Sequence, residues 1–179
     1  MRDWNVVVSV RGECYQWVRK HLREYARVDR TDFYNILALR VEDMAAFLVE
    51  LRQATEADPK LRDCLARVMP AQLSFTFQTP EDFEARATEA VSSFLPQLAG
   101  KAFYVRMHRR GFRGVLASQR EERLLARHVL EALQTAGTPA TVRFTDPDVV
   151  ITLETIGQWA GMALWTREDL ARYPFVQPE

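Results

Sequence analysis

The chain has 179 residues, of which 47% are hydrophobic and 27% are charged, a composition typical of globular proteins. This length is enough for one ordinary domain or for two small ones with a buried core. No apolar run approaches the roughly 18 residues that cross a bilayer, and the N-terminus lacks the apolar segment and small-residue cleavage site of a signal peptide. We therefore expect a cytoplasmic protein without a membrane partner.

The formal net charge is zero, but the charges are unevenly distributed along the chain. Residues 101–127 carry eight basic and two acidic side chains, a net charge of +6, and residues 1–40 carry a net charge of +3. The other two segments are acidic, with −5 for residues 41–100 and −4 for residues 128–179. Such a molecule can present a local anion-binding face without a basic overall pI. Most of these cations are arginines, whose planar guanidinium suits bidentate phosphate recognition.

The two cysteines, Cys14 and Cys64, are distant in sequence and form no CxxC pair. In a cytoplasmic protein this pattern predicts reduced, structural thiols.

Residues 1–77 alternate between strand and helix patterns, which predicts a small α/β unit of ferredoxin-like type. The strand patterns are rich in valine or alternate in hydrophobicity, and the helix patterns are amphipathic. The predicted strands are residues 5–10, 33–41 and 72–77, and the predicted helices are residues 14–26, 42–54 and 61–67.

Residues 78–179 are predicted to form a second α/β domain. Thr79 and Pro80 suit the N-cap and first position of a helix that Pro96 interrupts. Ser118 and Glu121 have the spacing of a capping box, which predicts a helix over residues 118–135. The predicted strands are residues 101–109, 141–144, 149–156 and 159–165, and a short helix capped by Thr166 follows them.

The segment from His108 to Gly114 (HRRGFRG) lies between a strand and a helix and contains three arginines. Its glycines allow backbone N–H groups to approach an anion, and the following helix N-terminus favours negative charge. Phe112 either stacks on an RNA base or packs back onto the core. On the following helix, Arg120, Arg123 and Arg127 share one stripe. The candidate RNA-binding residues are Arg106, His108, Arg109, Arg110, Phe112, Arg113, Arg120, Arg123 and Arg127.

Patterns that would indicate catalysis are weak in this sequence. The three histidines lack metal-ligand spacing, and no phosphate-binding, dinucleotide-binding or nucleophile-elbow motif is present. We therefore expect no catalytic residues, no cofactor, no metal site and no enzymatic activity. One alternative is a small metal-dependent enzyme that uses Asp146 and Asp148, since paired carboxylates can bind a cation or act as acid and base.

About half of the chain, residues 79–166, resembles the THUMP domain of RNA-modifying enzymes. The residues that carry the resemblance are Phe103-Tyr104-Val105-Arg106, Arg109-Arg110, the turn Asp146-Pro147-Asp148, and a strand pair with Glu154 and Gly157. The first 77 residues are similar to the ferredoxin-like domain that commonly precedes it, and the whole layout is similar to stand-alone THUMP proteins.

The resemblance implies an RNA-binding protein that holds tRNA near its acceptor end while a separate modification enzyme performs the chemistry. It also implies that Arg106, Arg109 and Arg110 contact the RNA backbone. The predicted function is thus tRNA binding and presentation to an RNA-modifying partner. A protein–protein adaptor that has lost RNA binding is the other alternative.

Overall fold

The computed structural model describes residues 3–179, which divide into two compact units. The first unit comprises residues 3–70 together with Leu170–Gln177, and the second comprises Ala71–Asp169 with Pro178–Glu179. Among the described residues, no helix combines the length and the apolar character that crossing a membrane requires.

The first unit contains a four-stranded antiparallel sheet in the order β2-β3-β1-β4. The central strand β1 is almost entirely valine, and Val6, Val7 and Val8 are fully buried. This order and the βαββαβ succession confirm the predicted ferredoxin-like architecture. The elements are β1 (Val6–Val10), α1 (Tyr15–Leu22), β2 (Arg27–Arg30), β3 (Ile36–Arg40), α2 (Met44–Ala57), α3 (Pro59–Cys64) and β4 (Leu65–Pro70).

Two of these strands are absent from the sequence-based prediction. The edge strand β2 has the sequence RVDR and buries only Val28, so no hydrophobic alternation marks it. The helix predicted over residues 61–67 is wrong in its second half, because α3 ends at Cys64 and β4 begins at the next residue.

The expectation of two reduced thiols is wrong, because Cys14 and Cys64 form a disulfide. Cys14 precedes α1 and Cys64 ends α3, and their Cα atoms are 5.7 Å apart although 50 positions separate them in sequence. The chain brings them together at the end of β1, where the Arg11 N–H donates to the Cys64 carbonyl at 2.8 Å. Separation along the sequence concealed this proximity.

The second unit contains a five-stranded mixed sheet in the order β5-β9-β8-β6-β7. Strand β6 is parallel to β7 and β8, whereas β9 is antiparallel to β5 and β8. The elements are β5 (Leu73–Thr76), α4 (Pro80–Ser92), α5 (Leu95–Leu98), β6 (Ala102–His108), α6 (Ser118–Thr135), β7 (Thr141–Val142), β8 (Val149–Ile156) and β9 (Trp159–Thr166). The last helix, α7 (Arg167–Arg172), begins in this unit and ends among the residues assigned to the first.

The core of this unit lies between one face of the sheet and helices α4 and α6. Phe83 on α4 and Leu125 on α6 are fully buried against Phe103 of β6 and Ile151 of β8. Strand β5 pairs with β9, so this strand belongs to the second sheet, whereas the sequence-based prediction placed residues 72–77 in the N-terminal domain. The mixed α/β class predicted from the sequence is confirmed.

Candidate RNA-binding surface

The loop that joins β6 to α6 carries the basic segment and is fixed to the turn between β8 and β9. The Arg110 N–H donates to Thr155 Oγ1 at 3.0 Å, and the Gly157 N–H donates to the Arg110 carbonyl at 2.8 Å. Gly111 has φ +101, and a Cβ built on it would lie 3.1 Å from Gly157 Cα. Only glycine allows the two backbones to approach so closely.

Arg110 lies within this anchor and not on the surface. Its Nη1 is 2.5 Å from Glu154 Oε2, and the two side chains are 10% and 3% exposed. The ion pair thus leaves little of the Arg110 side chain exposed for the predicted contact with an RNA backbone. Glu154, the one charged residue in the fully buried strand β8, was the sequence signal for this partner.

Phe112 adopts the second of its two predicted positions and packs onto the core. Its ring centroid is 5.0 Å from that of Phe77, and the side chain packs against the hydrophobic cluster of the second unit. Its φ of +52 turns the backbone back toward the protein. The next residue, Arg113, is exposed.

Arg106 and His108 lie on the face of β6 opposite the helices, and the C-terminal residues contact both of them. Arg106 Nη2 donates to Glu179 Oε1 at 2.9 Å, and its Nη1 is 3.8 Å from Glu122. His108 Nε2 is 2.7 Å from the Pro178 carbonyl oxygen. Burial acts to raise the pKa of the Glu179 carboxyl group, but hydrogen bonds from Tyr104 and Arg106 outweigh this effect and lower the pKa. This cluster of side chains therefore already holds an anionic group.

The three arginines predicted on α6 differ in their surroundings. Arg120 forms an ion pair with Glu84 of α4 at 3.1 Å. Arg123 and Arg127 are exposed, and neither has an ion pair or side-chain hydrogen bond within residues 3–179. Arg113 shares this property, whereas the Arg109 guanidinium donates to the carbonyl of Gly111. Of the nine predicted RNA-binding residues, three therefore have a guanidinium group without a partner in the described part of the chain, namely Arg113, Arg123 and Arg127.

The capping box predicted at the start of α6 does not form. Ala117 is the N-cap residue and makes no side-chain cap, so Ser118 is already the first helical residue. Glu121 instead is buried, and burial together with the neighbouring Glu84 raises its pKa to about 7. Glu122, the next residue, accepts the Met107 N–H at 2.8 Å and thereby joins α6 to the open edge of β6.

The two aspartates of the alternative enzyme hypothesis are part of the turn before β8. Asp148 accepts the Ala102 N–H at 2.8 Å, and this hydrogen bond lowers the pKa of its carboxyl group. Arg167 lies 3.1 Å from Asp146 and 3.5 Å from Asp148, so one guanidinium contacts both carboxylates. Within residues 3–179, no three histidine, cysteine, aspartate or glutamate side chains cluster as metal ligands do.

Comparison with known proteins identifies relatives by structure alone. No family profile and no curated protein sequence matches the chain. One similar structure is that of PH1313 from Pyrococcus horikoshii OT3, with a TM-score of 0.60 and a sequence identity of 11%. Another is that of TrmN from Thermus thermophilus, with a TM-score of 0.61 and a sequence identity of 16%. A third is that of a 4-thiouridine synthetase in complex with RNA and ATP, with a TM-score of 0.53 and a sequence identity of 11%.

The matches cover 90–92% of this chain but only 55%, 44% and 42% of those three proteins, so the chain spans about half the length of the structures that it resembles. At these identities the likeness establishes the fold. The class defined by this fold is a mixed α/β protein whose neighbours have THUMP-type and methyltransferase-like folds.

These neighbours overturn the expectation that the protein is not an enzyme. Three further similar structures are named as a predicted N6-adenine-specific DNA methylase, a possible methylase and a putative methyltransferase with bound SAH, at 9–15% identity. The fold of this chain thus occurs within longer proteins that are named as predicted, possible or putative methyl-transferring enzymes. The absence of catalytic motifs from this sequence is a poor guide to enzymatic activity, because the chain matches only 40–42% of the length of those three proteins.

Proposed function

We propose that the protein binds RNA through a surface consisting of Arg113, Arg123 and Arg127, hereafter the arginine surface. The observation that carries this proposal is that these three guanidinium groups are exposed and have no acidic partner among residues 3–179. An arginine left without a carboxylate is free to pair with phosphate, and its planar fork can make two parallel hydrogen bonds.

The anchored loop supports this proposal, because Arg113 lies in it, shortly before α6 begins at Ser118. The Glu154–Arg110 ion pair, the hydrogen bond from the Arg110 N–H to Thr155 Oγ1 and the bond from the Gly157 N–H fix the loop before any ligand arrives. A preorganised loop loses less conformational freedom on binding. The contact between Arg106 and Glu179 is a second support, since a phosphate carries the same charge as the carboxylate already held there.

The RNA that we propose is tRNA, which the protein presents to the active site of a modification enzyme in the cytoplasm. The support is the kind of neighbour that the fold has, including a 4-thiouridine synthetase bound to RNA. Methyl transfer is the modification that the other neighbours favour, because three of them are named as predicted, possible or putative methylases or methyltransferases, one of these a DNA methylase.

Binding of tRNA at two salt concentrations, followed by a methyl-transfer assay, tests this proposal. Phosphate contacts release counterions, so we expect binding that weakens steeply as salt rises. Methyl incorporation from labelled SAM into unmodified tRNA, with and without a cell extract, then tests the reaction. Absence of binding at low salt, or binding indifferent to salt, would contradict the RNA proposal.

A further inference from the structure

A groove of about 400 Å³ lies between α6 and the free edge of β6, and two residues of the arginine surface, Arg123 and Arg127, line it. Three guanidinium groups line the groove, those of Arg123 and Arg127 on α6 and of Arg106 on β6, and Glu122 is the acidic residue among its lining side chains. Its apolar lining includes the rings of Tyr104 and Phe144, together with Val105, Ala126, Leu130 and Val142. This volume is within the range of small-molecule binding sites.

Phe144 is the unusual residue of the groove, because 65% of this large apolar side chain is exposed. It follows β7 and touches Tyr104, with ring centroids 5.5 Å apart and planes inclined by 34°. Most of the ring is therefore in solvent. Exposed aromatic rings beside arginines are the usual platform on which single-stranded nucleic acids stack their bases.

The edge of β6 adds backbone hydrogen-bonding groups to this groove. The Phe103 carbonyl accepts the Arg143 N–H at 2.9 Å, and the Met107 N–H donates to Glu122, so both residues use the edge away from β8. Alternate residues of a strand direct their peptide groups to the same edge. Val105, which lies between them and lines the groove, directs its N–H and C=O to that side.

We propose that this groove binds one nucleotide of an unpaired RNA segment. Its base stacks on Phe144, and its phosphates pair with Arg123 and Arg127. This inference rests on the proposed RNA-binding function and specifies the form of RNA recognised. An aromatic platform cannot reach a base within a duplex, so the groove selects single strands while Arg113 contacts phosphates of either form.

Fluorescence anisotropy with a short pyrimidine RNA, the corresponding duplex and free CMP tests the groove. We expect Phe144→Ala to weaken single-strand binding by about 5- to 150-fold, the usual effect of losing one stacked base. Binding of the duplex is expected to be unchanged. Phe144→Trp is expected to retain single-strand affinity, because tryptophan supplies an equivalent stacking face.

Tyr34 supplies the matched control, since this exposed aromatic residue lies in the first unit and outside the groove. Tyr34→Ala is expected to bind both RNAs as the unmodified protein does. A second variant combines Arg123→Gln with Arg127→Gln. In this variant the slope of log affinity against log salt concentration for the single strand is expected to become shallower by about 1.4, or about 0.7 per lost phosphate contact.

Single-strand affinity of Phe144→Ala equal to that of Tyr34→Ala would overturn the groove assignment and leave the proposed RNA binding intact. Displacement of the RNA by an equal concentration of CMP would also overturn it, because the groove would then serve free nucleotides. If the unmodified protein binds neither RNA, both the proposed function and this inference are wrong.

Discussion

Arg110 Nη1 lies 2.5 Å from Glu154 Oε2, and this ion pair joins the loop after β6 to the buried strand β8. Glu154 is also 3.9 Å from His108 Nε2. Arg110, which the sequence suggests as a phosphate ligand, therefore supports the loop from within. The guanidinium groups that remain available to a ligand, those of Arg113, Arg123 and Arg127, all follow Arg110 in the chain.

Replacing Arg110 is expected to destabilise the fold strongly. Arg110→Ala leaves Glu154 buried without its guanidinium partner, and breaking a buried ion pair in this way costs about 3–5 kcal/mol. Urea denaturation measures the change in unfolding free energy. Arg113→Ala is the matched control from the same loop, and its effect is expected within about 0.5 kcal/mol. Equal effects of the two changes would contradict the supporting role of Arg110.

The two glycines of the loop are expected to differ in their tolerance of a side chain. Both have positive φ, but a Cβ on Gly111 would lie 3.1 Å from Gly157 Cα, whereas a Cβ on Gly114 would meet nothing within 4 Å. Gly114→Ala is thus expected to cost about 1 kcal/mol from its backbone conformation alone. Gly111→Ala should lower both stability and tRNA affinity further. Melting curves and anisotropy check this order, and a more harmful Gly114→Ala would refute it.

The buried carboxyl group of Glu121 is expected to make stability depend on pH. Burial and Glu84 raise the folded-state pKa of Glu121 to about 7, above its ordinary value of 4.5. Folding therefore favours the protonated form, and this contribution is complete below pH 4.5 and lost as the pH rises through 7. Glu121→Gln should consequently raise the melting temperature at pH 8 relative to the unmodified protein, with little effect at pH 4.5.

The expected difference at pH 8 is a few degrees, since about 1 kcal/mol shifts the midpoint of a protein of this size by 2–4 °C. Glu131→Gln on the exposed side of α6 is the control, and its melting curve should follow that of the unmodified protein at both pH values. A Glu121→Gln variant no more stable than this control at pH 8 would contradict the buried-carboxyl account.

Strong local patterns predicted most of the fold from the sequence. The valine run of β1 and the uninterrupted pattern of β8 and β9 mark buried strands, and α6 has the predicted bounds. The failures occur where tertiary pairing decides the structure. Strand β2 exists only because it pairs with β3, and residues 65–70 become a strand by pairing with β1. The disulfide likewise depends on a meeting of distant segments.

The candidate site was predicted less completely than the fold, because charge neutralisation is invisible in a linear sequence. The acidic partners of Arg106, Arg110 and Arg120 come from distant positions, namely Glu179, Glu154 and Glu84. Counting charges along the segment therefore overestimated the number of arginines that are available to bind a ligand. Helical periodicity correctly placed Arg123 and Arg127 on one exposed stripe, because that relationship is purely local.

The salt dependence of tRNA binding in two triple variants tests the central claim most directly. The first changes Arg113, Arg123 and Arg127 to glutamine, and the second changes Arg52, Arg62 and Arg86, which are exposed arginines with carboxylate partners. Both remove three positive charges. A plot of log affinity against log salt should become shallower by about 2–3 in the first variant, or about 0.7–0.9 per phosphate contact, and remain unchanged in the second. The same slope in both variants would show that the arginine surface does not bind RNA.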